Sequence, residues 1–246
     1  MSDNPEIPEG EPAGEQILSE YTDEDINRIV GGVDSCPLRT PHIEAIVFDV
    51  LGYPYVGQER AQPTLAPEID KKIKELMDGK TLIDLGCGDM AMLFPEKDES
   101  TFPNAVQLAK HWGVGGYTAV DPYHIPEMKG EEDSQEMREY EKRCSKVYGI
   151  NTRYVRSDML HYVHSQPDNQ NCYLLSGIDD EIIGGNSSEY KAYRRAMVKE
   201  LFRTTARQGV VVSNASSPML EPRLMEEVGF KPIETGESHL TFWVKD

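Results

Sequence analysis

The sequence predicts an α/β fold: a doubly wound seven-stranded sheet, mostly parallel, with a C-terminal antiparallel hairpin. Three observations predict it. From residue 67 onward, short apolar stretches alternate with segments of helical period, giving five strand–helix units in succession. "CYLLSGI" is apolar almost throughout, as a strand buried on both faces of a parallel sheet must be. The chain then changes character: "FKPIET" and "SHLTFWVKD" are two strands joined by a short turn containing Gly236, a link that permits only a hairpin.

Residues 1–34 form an acidic segment with few large apolar side chains, and its first half reads as disordered. Up to residue 30 it carries nine acids against Arg28 alone. A short helix at "DEDINRIV" is expected to dock on the main domain, because Ile26, Ile29 and Val30 share a face. Residues 35–66 combine an apolar run with Tyr53, Tyr55, Gly57 and several prolines, the composition of an N-terminal cap segment. The regular domain spans 67–246. It opens with Pro67 in a first helical turn, Ile69, Ile73 and Leu76 on one face, and Gly79 as the stop.

The strand "TLIDL" follows, then the helix "PNAVQLAKHWG" and the strand "YTAVD". A helix over 133–148 places Met137, Tyr140, Cys144 and Val147 on one face. "TRYVRSD" is the third strand and "LHYVHSQ" a short helix. After "CYLLSGI", Tyr190, Tyr193, Met197 and Leu201 mark a helix; "GVVVSN" is the fifth strand, and Leu220, Leu224 and Val228 mark the helix after it.

Charge and cysteine usage narrow the function. The formal net charge of −18 repels nucleic acid, and the basic clusters are short (Lys71, Lys72 and Lys74; Arg194 and Arg195). A small-molecule partner is therefore expected, with nucleic acid disfavoured, and no membrane, since no apolar run approaches the ~20 residues of a membrane span. The four cysteines form no C-x-x-C pair, which disfavours a zinc site or a disulfide framework. The N-terminus lacks a basic region followed by an apolar stretch, so a cytoplasmic location is expected. His161 and His164 lack a third ligand, and no metal is expected. Oligomeric state has no signal in the sequence.

In an open parallel sheet, ligands bind beyond the carboxyl ends of the strands. Chemistry-bearing residues stand at those positions: Gly86, Cys87 and Gly88 after the first strand, Asp121 with Pro122 and Tyr123 after the second, Asp158 and Met159 after the third, Ser176 and Gly177 after the fourth. Gly86, Gly88 and Ala91 match the dinucleotide form G-x-G-x-x-A, yet Asp84 would set a negative charge against a pyrophosphate. Asp121 also lies 33 residues beyond Gly88, whereas a ribose-binding acid is expected about 20 past the glycines. A nucleoside carrying an amino acid suits the pattern better. Asp84 or the loop carbonyls accept from its ammonium group, the glycines let the backbone approach, and Asp121 accepts from both ribose hydroxyls. Asp158 accepts from an adenine amine, with the Met159 N–H free for a ring nitrogen. Each acid also has an ordinary use: Asp84 in capping the glycine turn, Asp121 as a turn former, Asp158 as a helix N-cap.

This pattern resembles the class I, Rossmann-like S-adenosyl-L-methionine-dependent methyltransferases over about residues 67–246. "LIDLGCGD" is similar to the family's cofactor loop, "TAVDPY" to its ribose motif, "VRSDML" to its adenine motif, and "LLSGIDD" to the fourth-strand motif facing the methionine part and the substrate. The resemblance implies S-adenosyl-L-methionine as cofactor, with Asp84, Gly86, Cys87, Gly88, Asp121, Pro122, Tyr123, Asp158, Met159, Ser176 and Gly177 around it. Met90 departs from the pattern by standing where many members carry a third glycine. The Asn-Pro-Pro-Tyr or Asp-Pro-Pro-Tyr signature of nucleic-acid and some protein amine methylation is missing at "SGIDD".

The expected activity is methyl transfer to a small-molecule acceptor, with Asp179 as the candidate general base and Asp180 and His124 as further candidates. All three also read as ordinary solvated loop residues. Residues 41–57 and 177–190 are expected to wall the acceptor. Two other functions fit less well: a noncatalytic protein that binds S-adenosylmethionine or S-adenosylhomocysteine and acts through a partner, and an NAD-dependent oxidoreductase, which Asp84 opposes.

Overall fold

A computed structural model describes residues 19–33, 50–52, 63–88, 105–122, 131–175, 187–214, 218–235 and 240–246. The helices are α1 (Asp23–Val30), α2 (Pro67–Met77), α3 (Ala105–His111), α4 (Glu131–Tyr148), α5 (Met159–Ser165), α6 (Ser188–Thr204) and α7 (Pro222–Val228). The strands are β1 (Thr81–Leu85), β2 (Gly116–Val120), β3 (Asn151–Val155), β4 (Asn171–Leu175), β5 (Val210–Asn214), β6 (Phe230–Ile233) and β7 (Leu240–Lys245). They form one seven-stranded sheet in the order β3-β2-β1-β4-β5-β7-β6. The first five are parallel, and β7 runs antiparallel between β5 and β6. This is the mostly parallel sheet with a terminal hairpin that the sequence predicts. Strand order reverses between β1 and β4, so the connections leaving those two strands diverge and open a crevice at their carboxyl ends.

Period-2 alternation divides the core into two layers. Leu82, Tyr117, Ala119, Cys172, Leu174, Val212 and Phe242 face α2, α3 and α4. Ile83, Leu85, Val120, Tyr173, Leu175, Val211 and Trp243 face α1, α5, α6 and α7. Both faces are covered, which is why the strands read as apolar runs. Pro67 starts α2, where its missing N–H has no intrahelical partner to lose, and Gly79 follows the helix at φ +69°.

Two details differ from the sequence reading. Val147 lies 46% exposed, and the buried positions of α4 among the described side chains are Cys144 and Tyr148. The stripe therefore runs i, i+4 at this end, and Val147 falls on the solvent side; the side chains of Met137 and Tyr140 lie outside the described residues. The helix after β5 is split as well. Residues Pro218–Leu220 form a 3₁₀ turn, and Pro222 then begins α7. Proline cannot sit inside a helix without removing a bond, so Leu220 belongs to the turn. Helix α1 forms where expected, with Thr22 and Asp25 in a reciprocal capping box and Ile26 buried. Among the described residues no helix is long and apolar enough to cross a membrane.

At the amino-end side of the sheet, buried charge replaces apolar packing. Glu200 accepts from Arg203 Nε at 2.9 Å and Nη2 at 2.7 Å, and Arg203 also pairs with Asp168. Lys245, at the end of β7, donates to the carbonyls of Phe202 (2.5 Å), Arg203 (3.2 Å) and Thr205 (3.1 Å), closing the C-terminus of α6. Burial lowers the Lys245 pKa to about 8, against the raising effect of Asp168. Replacing Arg203 by Ala would leave Glu200 enclosed without its guanidinium. We expect Arg203→Ala to lower unfolding free energy by about 3–5 kcal/mol, the scale for breaking one side of a buried ion pair, measured by urea unfolding at neutral pH.

Candidate functional site

β1 delivers its last polar residue, Asp84, to the layer shared with α2 to α4, two positions beyond Leu82 on the same side of the strand. The chain then turns through Gly86 and Gly88, at φ +69° and +72°. Both lie in the left-handed region, where a side chain is strained and glycine is not. At Gly88 a Cβ would meet no described atom within 4 Å, so conformation rather than crowding among the described residues calls for the glycine.

The strand ends are laced together by main-chain bonds. Gly86 and Cys87 donate their N–H groups to the Val120 carbonyl at 2.8 and 3.2 Å. Asp121 donates its own N–H to the Val155 carbonyl at 3.2 Å, carrying the β2–β3 ladder one residue past the strand. Its side chain turns the other way, and Oδ2 accepts from the Gly88 N–H at 3.0 Å. Arg156 Nε donates to the Pro122 carbonyl at 3.1 Å. Asp84, Gly86, Cys87, Gly88, Asp121 and Pro122 thus stand together at the carboxyl ends of β1 and β2.

Asp84 is 2% exposed, and its Oδ2 accepts from the Tyr117 hydroxyl at 2.7 Å. Burial raises its pKa to about 7; the Tyr117 bond works against that rise and the neighbouring Asp121 charge adds to it. The Cys87 thiol is raised as well, by burial first and then by Asp84 and Asp121. It stays protonated and is no nucleophile at neutral pH. Tyr117 is pushed far up by burial and by Asp84, so it serves as a fixed donor.

At the end of β3, Asp158 caps α5. Its Oδ1 accepts from the Leu160 N–H at 2.8 Å and the His161 N–H at 3.2 Å, and the Tyr193 hydroxyl lies 3.1 and 3.0 Å from Oδ1 and Oδ2. Burial raises the Asp158 pKa against these donors. The N-cap use weighed in the sequence is therefore real. Oδ2, which takes only the tyrosine among these contacts, retains acceptor capacity. Met159 buries its side chain in the α5–α6 layer, so it meets a ligand only through its backbone. Tyr123, Ser176, Gly177 and Asp179, with His124 and Asp180, lie outside the described residues.

Sequence reasoning missed Tyr117, Tyr193 and Arg156. Tyr117 was discoverable: Leu82 pairs with Tyr117 and Asp84 with Ala119, so parity sets Asp84 and Tyr117 on one face, two residues apart. Tyr193 is legible as a core position of α6, but not the partner of its hydroxyl.

No protein-family model matches the chain, and no curated protein matches it. Among solved structures it is similar to a TehB-like SAM-dependent methyltransferase from Corynebacterium glutamicum, at 13% identity and TM-score 0.39, covering 70% of this chain and 85% of that one. It is similar to the spermidine synthase of Thermotoga maritima at 14% identity and TM-score 0.39, covering 74% of this chain; the chain spans only 58% of that protein. A spermidine synthase in complex with the transition-state analogue AdoDATO matches at 15% identity and TM-score 0.41, over 71% of this chain and 58% of that one. Likenesses this distant identify no substrate, and the fold is read from the sheet itself.

Two outcomes test the electrostatics. In the unfolded chain Asp84 returns to its ordinary value of 3.8, so between that and about 7 the folded state holds more protons and stability falls as pH rises. The full difference is of the order of 4 kcal/mol. Urea unfolding should show Asp84→Asn gaining stability relative to the parent on going from pH 5 to pH 8; a constant difference would place Asp84 in water. Tyr193→Phe removes one donor from Asp158 and should lower unfolding free energy by about 1 kcal/mol, with the loss measured at pH 7.

Proposed function

We propose that this chain binds S-adenosyl-L-methionine beyond the carboxyl ends of β1, β2 and β3 and transfers its methyl group to a small-molecule acceptor. The observation that carries the reading is Asp84: a carboxylate 2% exposed, at the foot of a loop with two left-handed glycines. A buried acid there disfavours a pyrophosphate and suits a cation.

The residues fit that cofactor. Asp84 would accept from its ammonium group, with Tyr117 holding the carboxylate in place. Asp121, bound to Gly88 through Oδ2, would accept from the ribose hydroxyls. Asp158 Oδ2 and the Met159 N–H would meet the adenine edge. Ser176 and Gly177 are assigned to the methionine side, Tyr123 to the adenine face and Asp179 to taking the acceptor's proton. The sulfonium supplies an activated methyl group and a neutral thioether leaving group. The chain's own task is then orientation, worth about 7–11 kcal/mol in well-positioned reactants, and proton removal, worth about 10²–10⁴-fold. The net charge of −18 favours an acceptor other than nucleic acid. The free thiols Cys87, Cys144 and Cys172 suit the reducing cytoplasm.

Calorimetry with S-adenosylmethionine, S-adenosylhomocysteine and NAD tests the reading. Both adenosyl compounds should bind and NAD should not; no binding of either at millimolar concentration overturns it. Asp121→Ala should weaken S-adenosylhomocysteine at least tenfold, on the scale of about 1.5–3 kcal/mol for bonds to a charged group. Asp179→Ala should abolish turnover in an acceptor screen while keeping cofactor affinity.

Proton linkage gives an independent check. Asp84 is largely protonated at pH 6, and an arriving ammonium favours its ionised form. Binding of S-adenosylhomocysteine should therefore release a proton at pH 6, read as a buffer-dependent heat, and affinity should rise from pH 6 to pH 8. Asp84→Asn should bind weakly with neither effect.

A further inference from the structure

Helix α1 packs on α5 and α6, with Ile26 buried in their shared layer. Its polar side chains meet both histidines of α5. Asn27 Oδ1 lies 2.9 Å from His161 Nε2, and Asp23 Oδ1 lies 3.1 Å from His164 Nε2. Just before the helix, the Ser19 hydroxyl donates to Glu200 Oε1 at 2.5 Å, while Glu20 pairs with Lys199. The charged groups facing His164 among the described residues are Asp23 from α1 and Glu200 from α6, whose Oε2 lies 3.1 Å from Nδ1. Arg203 of α6 donates to the His164 carbonyl at 2.8 Å and bonds in turn to Glu200 and Asp168.

His164 is therefore held between two carboxylates, one on each ring nitrogen. A neutral imidazole has one donor and one acceptor, so only the imidazolium donates to both. The Glu200 end is buried and fixed by Arg203 and Ser19; the Asp23 side chain is 95% exposed. The contact with Asp23 is therefore the exposed side of the clasp, and the one that local opening of α1 would release first.

The same helix α5 begins at Asp158. His161 binds Asp158 through its backbone N–H and Asn27 through its ring, so α1 grips the helix turn that holds the candidate adenine-binding carboxylate.

We propose that residues 19–33 are a latch that steadies the Asp158 end of the site, fastened to α5 through the side chains of His161 and His164. The coupling to ligand rests on the function proposed above; the docking of the latch does not.

Hydrogen exchange on the full chain without ligand reads the latch directly. Protection factors for the amides of 26–30 should be about two- to fivefold lower in His164→Gln and in Asp23→Asn than in the parent chain, the scale of one exposed ion pair. Parent-like protection of 26–30 in both variants overturns the latch. The second readout is calorimetry with S-adenosylhomocysteine. The double variant Asp23→Asn/Asn27→Ala should bind about threefold or more weakly than the parent while keeping its core exchange protection, and the ligand should raise protection of 26–30. Unchanged affinity with an opened α1 overturns the coupling. No binding even by the parent overturns the proposed function and the coupling together, while the exchange data still decide the latch.

Discussion

The Gly88 N–H donates to Asp121 Oδ2 at 3.0 Å, and the carboxyl ends of β1 and β2 are organised around that bond. It joins residues 33 positions apart and ties the turn after β1 to the residue after β2. The Val120 carbonyl, with two N–H donors from Gly86 and Cys87, sits one residue away and does the same from the main chain. Together these bonds hold a glycine turn that has no intrinsic reason to keep one shape, since glycine loses more freedom on ordering than any other residue. Burial chiefly raises the Asp84 pKa, and the Asp121 charge that these bonds position adds to the rise.

The two ends of the sheet use buried charge in opposite ways. At the amino-end side, Glu200, Arg203, Asp168 and Lys245 satisfy one another and the carbonyls ending α6, so the charge there is paired and structural. At the carboxyl end, Asp84 has a hydroxyl donor in Tyr117, and the nearest named charge, Asp121, has its own sign. An acid held this way disfavours its ionised form, and a bound cation would remove that penalty. Paired charge is scaffold, whereas the Asp84 carboxyl is governed by burial and the Tyr117 hydroxyl.

Much of the fold was legible because its causes are local. The apolar run of β4, the shared face of Ile26, Ile29 and Val30 in α1 and Pro67 at the start of α2 each act within a few residues. The exposure of Val147 was not legible, because a stripe ending at i+3 or i+4 depends on how the helix lies across the sheet. The acids at the strand ends were visible as residues, but their partners were not. Asp84–Tyr117 and Asp121–Gly88 span 33 positions and Asp158–Tyr193 spans 35, and none has a spacing rule. Strand register supplies the missing relation for the first, and helix packing for the last.

Asp158 shows why a structural use of a residue does not exclude a chemical one. Its Oδ1 is occupied by two amides, which lock the carboxylate relative to α5, while Tyr193 braces both oxygens. A carboxylate fixed in this way loses little further freedom on accepting one more bond, so the cap preorganises the contact it would make. The rigidity depends on α5, a helix of seven residues, too short to be stable alone in water. Packing must supply what length does not. α6 braces it from one side through Tyr193, and α1 from the other through Asn27 and Asp23. The residues at the end of β3 therefore have a defined geometry because elements far away in sequence hold the helix that follows.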